Sequence, residues 1–183
     1  LGTGKIGEAF TRIAHGFGMR LLGWDVAENP ACLELGMKYV PKDQLLAESD
    51  LITLHVPLMP ETRHLIDAAA LRAMRDDAIL VNSSRGGLID TAALVTELRA
   101  GRFSGVGLDV YEAEAGLFFH DKSLEAVEDD TLARLVTFPN VLVTSHQAYY
   151  TEDAVGQIVD ATVRNVLDYT ARRRSENVLV PRS

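Results

Sequence analysis

The 183-residue chain has a single cysteine, Cys32, so neither an internal disulfide nor a multi-thiolate metal site is open to it. A reducing compartment, the cytoplasm, is the expectation. Positive charge is also scarce: 18 Lys and Arg stand against 26 Asp and Glu, a net charge of −8. That balance excludes a basic field of the kind that holds nucleic acid or an anionic membrane. The one basic run, Arg172-Arg173-Arg174, reads as cations complementing a helix C-terminus. No apolar run approaches the ~18 residues of a membrane span, and no His, Cys, Asp and Glu grouping has metal-ligand spacing. What is present is 47% hydrophobic and 24% charged residues, the balance of a globular domain and not of a disordered chain.

Hydrophobic period supplies the organisation. Ile6, Phe10, Ile13, Ala14 and Phe17 recur at helical spacing and predict an amphipathic helix ending near Gly16–Gly18. A strand over 19–24 follows, then turn residues Glu28-Asn29-Pro30. Apolar runs at 37–40, 51–56, 79–81, 106–110 and 141–144 alternate with stretches of helical period at 42–47, 68–74, 91–100 and 131–135. Such alternation predicts βαβ units, hence an α/β fold: a doubly wound parallel sheet of Rossmann type, three layers αβα, its first strand truncated. Asp90 is placed to N-cap the helix carrying Leu94 and Leu98, with Gly101 just past its end. A long helix over 151–172 carries an apolar stripe from Val155 to Leu167 that needs a partner. The longest irregular stretch, 111–130, is expected to be packed down by Leu117-Phe118-Phe119.

Gly2-Thr3-Gly4-Lys5-Ile6-Gly7 is a G-x-G-x-x-G at the mouth of the first helix, and the strand after that helix ends in Asp25, eighteen residues beyond Gly7. The pattern fits a dinucleotide loop. Two glycines allow a tight turn and close backbone approach to a pyrophosphate, the third lets helix and strand pack, and the helix N-terminus offers N–H groups to the phosphates. Asp25 suits the ribose hydroxyls and repels a 2′-phosphate, and no Lys or Arg follows in Val26-Ala27-Glu28-Asn29, so NAD is expected over NADP.

Further segments follow in order: Leu54-His55-Val56-Pro57-Leu58 with Thr62-Arg63-His64-Leu65-Ile66, Val81-Asn82-Ser83-Ser84-Arg85-Gly86-Gly87, Leu108-Asp109-Val110-Tyr111-Glu112-Ala113-Glu114 and Ser145-His146-Gln147-Ala148. With the glycine loop, they make the chain resemble the D-isomer-specific 2-hydroxyacid dehydrogenases over essentially its whole length. The resemblance implies catalytic roles for Arg85, Glu114 and His146, and cofactor contacts at Gly2, Gly4, Lys5, Ile6, Gly7, Asp25, Val56, Pro57, Thr62, Ser83, Ser84, Arg85 and Asp109. The chemistry agrees with it. A guanidinium such as Arg85 grips a carboxylate bidentately, and histidine titrates near neutrality, so His146 suits proton transfer to the oxygen of a 2-oxo acid. Glu114 would orient the His146 ring, with Glu112 as its rival. His55 is read as cofactor-lining through its backbone, and His15, His64 and His120 as surface or packing residues.

Thirty-two residues separate Glu114 from His146, and this insertion, with His146-Gln147-Ala148-Tyr149, is similar to the bacterial fermentative D-lactate members of the family. Pyruvate is then the implied substrate, contacted by Arg85, His146 and Tyr149. A larger 2-oxo acid is the alternative, and an NAD(H)-responsive corepressor of the same fold is another. The resemblance also implies a homodimer or higher homo-oligomer. Because the chain opens inside a strand-to-helix loop, it is expected to be a piece of a longer protein. Residues 1–148 would form the NAD-binding domain and 149–183 a helix returning toward a substrate domain outside this chain.

Overall fold

The computed structural model describes residues 1–118, 128–175, 177 and 178. They fall into two compact units, Leu1–His146 and Gln147–Ser183. The first unit alternates helix and strand: α1 (Lys5–Gly16), β1 (Leu22–Gly23), α2 (Pro30–Glu34), β2 (Lys38–Tyr39), α3 (Lys42–Glu48), β3 (Leu51–Leu54), α4 (Ala68–Ala73), β4 (Ile79–Asn82), α5 (Thr91–Arg99), β5 (Gly105–Leu108), α6 (Asp130–Leu135) and β6 (Val141–Val143).

All strand pairs are parallel. β1 pairs with β2, and β3, β4, β5 and β6 lie side by side in chain order. Leu1 joins the two sets. Its N donates to the Thr53 carbonyl at 2.9 Å and its carbonyl accepts from the His55 N–H at 2.8 Å, the double bond of a parallel pair, while the Gly2 N–H reaches the Trp24 carbonyl at 2.9 Å. The order is therefore β2, β1, Leu1, β3, β4, β5, β6, and the direction of winding reverses at Leu1. Right-handed crossovers then put α1 and α2 on one face and α3 to α6 on the other, giving the expected three layers.

The core lies mainly under the second face. Leu46, Ile52, Leu54, Ile66, Leu71, Leu80, Leu88, Leu94 and Leu135 are fully buried there. Burial of each such side chain contributes about 1.5–3 kcal/mol. Asp90 caps α5 as expected, accepting from the Ala93 N–H at 3.0 Å, and Gly101 takes φ +79° beyond its end. Leu117 and Phe118 pack against the core, the Phe118 ring 6.3 Å from that of Tyr111. Phe119 and His120, with the rest of 119–127, lie outside the described residues.

Two local expectations are corrected. The buried face of α1 is Gly7, Thr11 and Ala14, whereas Ile6, Ile13 and Phe17 are mostly exposed. The Thr11 hydroxyl satisfies itself on the Gly7 carbonyl at 2.7 Å, so a polar residue enters this close packing and the bulkier apolar ones do not. The stretch read as a turn at 28–30 begins helix α2. Asn29 is its N-cap, accepting from the Ala31 N–H at 2.9 Å, and Pro30 stands at the first helical position, where its missing N–H costs nothing.

The second unit is dominated by α7 (Glu152–Thr170), capped by the Thr151 hydroxyl on the Ala154 N–H at 3.2 Å. None of its side chains is buried, and Ile158, Val163, Val166 and Leu167 stay more than half exposed. Among the described residues no helix is long and apolar enough to cross a membrane.

Candidate active site

In a parallel sheet every strand ends at the same edge, and there the candidate residues gather. Three groups line that edge: the glycine loop, the segments following β3 and β4, and the segments following β5 and β6.

The glycine loop folds tightly. Gly2 has φ +87°, and a Cβ on it would stand 2.7 Å from the His55 carbonyl carbon and the Val56 nitrogen. A Cβ on Gly7 would collide with the Gly2 carbonyl, yet one on Gly4 would meet nothing within 4 Å. The open side is thus the N-terminus of α1, where Gly4 provides no side-chain cap for the first-turn N–H groups of Lys5, Ile6 and Gly7. This arrangement fits a dinucleotide pyrophosphate, which needs close backbone approach and unpaired donors. Asp25 belongs to the same unit. Its Oδ2 accepts from the Thr3 N–H at 2.6 Å and the Thr3 hydroxyl at 3.1 Å, and its Oδ1 from the Val26 N–H at 2.7 Å. The carboxylate is held beside the loop.

Sequence reasoning missed the residues that brace this loop. Asn29 Nδ2 donates to the Thr3 carbonyl at 2.7 Å and to Glu8 at 3.1 Å, and the Tyr39 hydroxyl donates to Thr3 Oγ1 at 2.8 Å. The Asn-Pro pair was the available signal, an N-cap followed by a first-position proline.

After β3, Val56 is buried, while Pro57 and Thr62 lie in a loop that the Thr62 hydroxyl staples, donating to the Pro57 carbonyl at 2.7 Å and accepting from the Met59 N–H at 2.8 Å. His55 packs beneath the glycine loop, its ring 5.7 Å from Phe10 and its Nε2 3.1 Å from the Thr53 hydroxyl. Burial pushes its pKa down to about 4. It is a neutral packing residue at ordinary pH.

After β4, the backbone of Arg85 is extended and its guanidinium is exposed, donating to the Ser84 carbonyl at 2.7 Å. The turn before it is built by Asn82, whose role sequence reasoning also missed. Fully buried, Asn82 accepts from the Ser84 N–H at 3.0 Å and donates to the Arg85 carbonyl at 2.9 Å. An amide side chain ending an apolar strand was its signal, since a buried amide must find partners. Ser83 is exposed in the same turn, and Ser84 Oγ ties it to the segment after β3 by donating to the Val56 carbonyl at 2.7 Å.

After β5, Asp109 is buried with its N–H on the Asn82 carbonyl at 2.9 Å, and it accepts from the Thr144 hydroxyl. Its carbonyl accepts from the His146 N–H. Ser145 and His146 both take left-handed backbone conformations, φ +55° and +59°, which non-glycine residues rarely adopt. The bend brings the ring to Glu114: His146 Nδ1 and Glu114 Oε1 are 2.8 Å apart, and Glu114 Oε2 accepts from the Tyr111 N–H at 2.9 Å. Since an ionised carboxylate can only accept, a ring paired with one carries its proton on Nδ1. Between the two rival carboxylates, Glu114 is the one on His146. Glu112 instead meets His64 and Arg63 at 2.8 and 2.7 Å. Tyr149 lies in the second unit, half exposed, its ring edge-on to Tyr150 at 6.2 Å. Among the described residues no three potential ligands are grouped to hold a metal ion.

The NAD-binding domain of the D-isomer specific 2-hydroxyacid dehydrogenases matches residues 1–148. The chain belongs to this family. A 2-hydroxyacid dehydrogenase homolog of Haemophilus influenzae is 46% identical over 99% of the chain and 55% of its own length, and the D-lactate dehydrogenase of Escherichia coli is 45% identical over 98% and 55%. Among solved structures, the pyruvate reductase of Chlamydomonas reinhardtii superposes with a TM-score of 0.91 at 43% identity, over 96% of this chain and 54% of that one. The chain therefore spans about half the length of the curated relatives it matches. The fold and the glycine loop are those of the family's NAD-binding domain, and NAD is the cofactor.

Proposed function

We propose that the protein containing this chain reduces a small 2-oxo acid, pyruvate foremost, to the D-2-hydroxy acid with NADH. The observation that carries the reading is the 2.8 Å pair of His146 Nδ1 with Glu114, held by two left-handed residues at the sheet edge that also bears Arg85. Bound NADH supplies a hydride for the carbonyl carbon. The Arg85 guanidinium binds the substrate carboxylate in a fork, which a lysine would not match. His146, as imidazolium, gives its Nε2 proton to the carbonyl oxygen, which becomes the hydroxyl. In the reverse direction the neutral ring takes that proton back. Glu114 holds the ring in the productive tautomer and faces its positive charge. Asp25 receives the adenosine ribose, the backbone of Lys5, Ile6 and Gly7 the pyrophosphate, and Asp109 the nicotinamide side.

In this reading residues 1–148 carry the cofactor, and 149–183 return toward a substrate domain, with Tyr149 near the substrate and the apolar residues of α7 covered. A reducing cytoplasm, in which the buried Cys32 thiol stays unpaired, is the compartment it implies. Steady-state oxidation of NADH by the intact protein with pyruvate, 4-methyl-2-oxopentanoate and phenylpyruvate is the test. Highest kcat/KM on pyruvate with D-lactate as product supports the reading, and preference for a bulkier acid moves the substrate assignment. No turnover with NADH binding intact would replace the enzyme by a cofactor-responsive sensor.

A further inference from the structure

The Arg63–Glu112–His64 cluster lies outside the reacting groups and encloses the residues that follow Arg85. Glu112 Oε1 receives Arg63 Nη2 at 2.7 Å and His64 Nε2 at 2.8 Å. Burial works to raise the Glu112 carboxyl, but the hydrogen bonds and charges of His64 and Arg63 outweigh it and hold it below the ordinary glutamate value. The same partners meet again through backbone. The His64 N–H donates to the Gly87 carbonyl at 2.8 Å, with His64 at φ +51°, and the Ile66 N–H donates to the Leu88 carbonyl at 3.0 Å. On the other side Gly86 lies flat on the Tyr111–Glu112 peptide, so close that a Cβ would collide with the Tyr111 carbonyl and the Glu112 nitrogen. A Cβ on Gly87 would stand 3.0 Å from Leu58 and 3.6 Å from Arg63.

Gly86-Gly87 is thus gripped between two segments, and the Glu112 side chain closes the grip by joining them. We propose that Glu112 is a positioning residue for Arg85: through His64 and Arg63 it clamps Gly86-Gly87, setting where the guanidinium presents itself to the substrate carboxylate. The proposal rests on the 2-oxo acid reading for its substrate and on geometry alone for the clamp. It separates the two glutamates of one segment by task, Glu114 for proton transfer and Glu112 for carboxylate binding.

The test compares Glu112→Ala, Glu112→Gln and the milder Arg63→Ala in the intact protein. Glu112→Ala is expected to raise KM for the oxo acid and weaken oxamate binding to the NADH complex about tenfold, with kcat and the pH profile of reduction unmoved, as loss of positioning for binding alone requires. Glu112→Gln, which keeps a hydrogen bond to His64, recovers part of the affinity, and Arg63→Ala shows a smaller loss of the same kind. Hydrogen exchange of segment 84–90 quickens in Glu112→Ala. Unchanged KM with unchanged exchange overturns the clamp, and so does a parallel fall in kcat and affinity with a shifted pH profile. If wild type turns over no oxo acid, the functional reading fails, while the exchange rates of 84–90 still decide the clamp.

Discussion

His146 and His64 each meet a glutamate of the stretch Tyr111–Glu114 at 2.8 Å, one through Nδ1 and the other through Nε2. Both rings sit on left-handed backbone, φ +59° and +51°. They differ in setting. Glu114 also accepts from the Tyr111 N–H, so its second oxygen is anchored within its own segment, whereas Glu112 shares one oxygen between His64 and Arg63 from across the sheet edge. The first pair joins the segment after β5 to the segment after β6, and the second joins it to the segment after β3. One short spacing, Glu-Ala-Glu, thus reaches two different histidines, because the turn at Glu112-Ala113 aims the two carboxylates at different neighbours.

Substitution of the two histidines breaks this comparison most sharply. His146→Asn is expected to lower kcat for reduction of the oxo acid by about 10²–10⁴, the usual worth of a general acid, while His64→Asn leaves kcat within a few fold. Stopped-flow and steady-state rates of the two variants check it, and comparable losses would make the assigned division of labour wrong. Glu114→Gln is expected to cost less, on the order of tenfold in kcat, since the amide still bonds Nδ1 but no longer faces a positive ring.

Next in size is Asn82→Ala. It strands the Ser84 N–H and the Arg85 carbonyl, so a stability loss of roughly 1–3 kcal/mol is expected in denaturant melts, with weakened oxo acid binding and cofactor affinity little altered. A variant as stable as wild type would show that the turn carrying Arg85 holds without this amide.

His55 offers a control, a histidine that meets a hydroxyl instead of a carboxylate. Burial lowers its pKa from 6.5 to about 4. The unfolded chain therefore binds the extra proton first as pH falls, so stability present above pH 6.5 is lost between 6.5 and about 4. Tm measured against pH should fall less steeply over that interval in His55→Gln, and parallel curves would contradict the assignment. The smallest effect is expected for Ser145→Gly. Relief of a left-handed φ, about 1 kcal/mol, nearly offsets the greater freedom glycine gains on unfolding, so Tm should scarcely move.

The order of helices and strands was legible because apolar period is a local property of the chain. The glycine loop, Asp25 and the ends of β3 to β6 were legible for the same reason, each lying where a periodic run stops. Contacts between distant segments were not. Nothing local in Ser84 names the Val56 carbonyl, 28 residues away, as the partner of its hydroxyl, and nothing in Ile6, Ile13 and Phe17 says that Gly7, Thr11 and Ala14 form the closer face. Helix α2 escaped because five residues are too few to show a period, leaving only its cap.

By itself, then, the sequence determined a parallel α/β domain with a dinucleotide loop and the residue types an acid–base reduction needs, since period, glycine spacing and motif order require no knowledge of what touches what. The resemblance already put Glu114 on His146, and only the tertiary structure showed that Glu112 meets His64 and Arg63. Glu112 and Glu114 are chemically identical and two residues apart. Their partners lie 48 and 32 residues away along the chain. The side-by-side order β3, β4, β5, β6 brings the segments after β3, β5 and β6 within reach of one another.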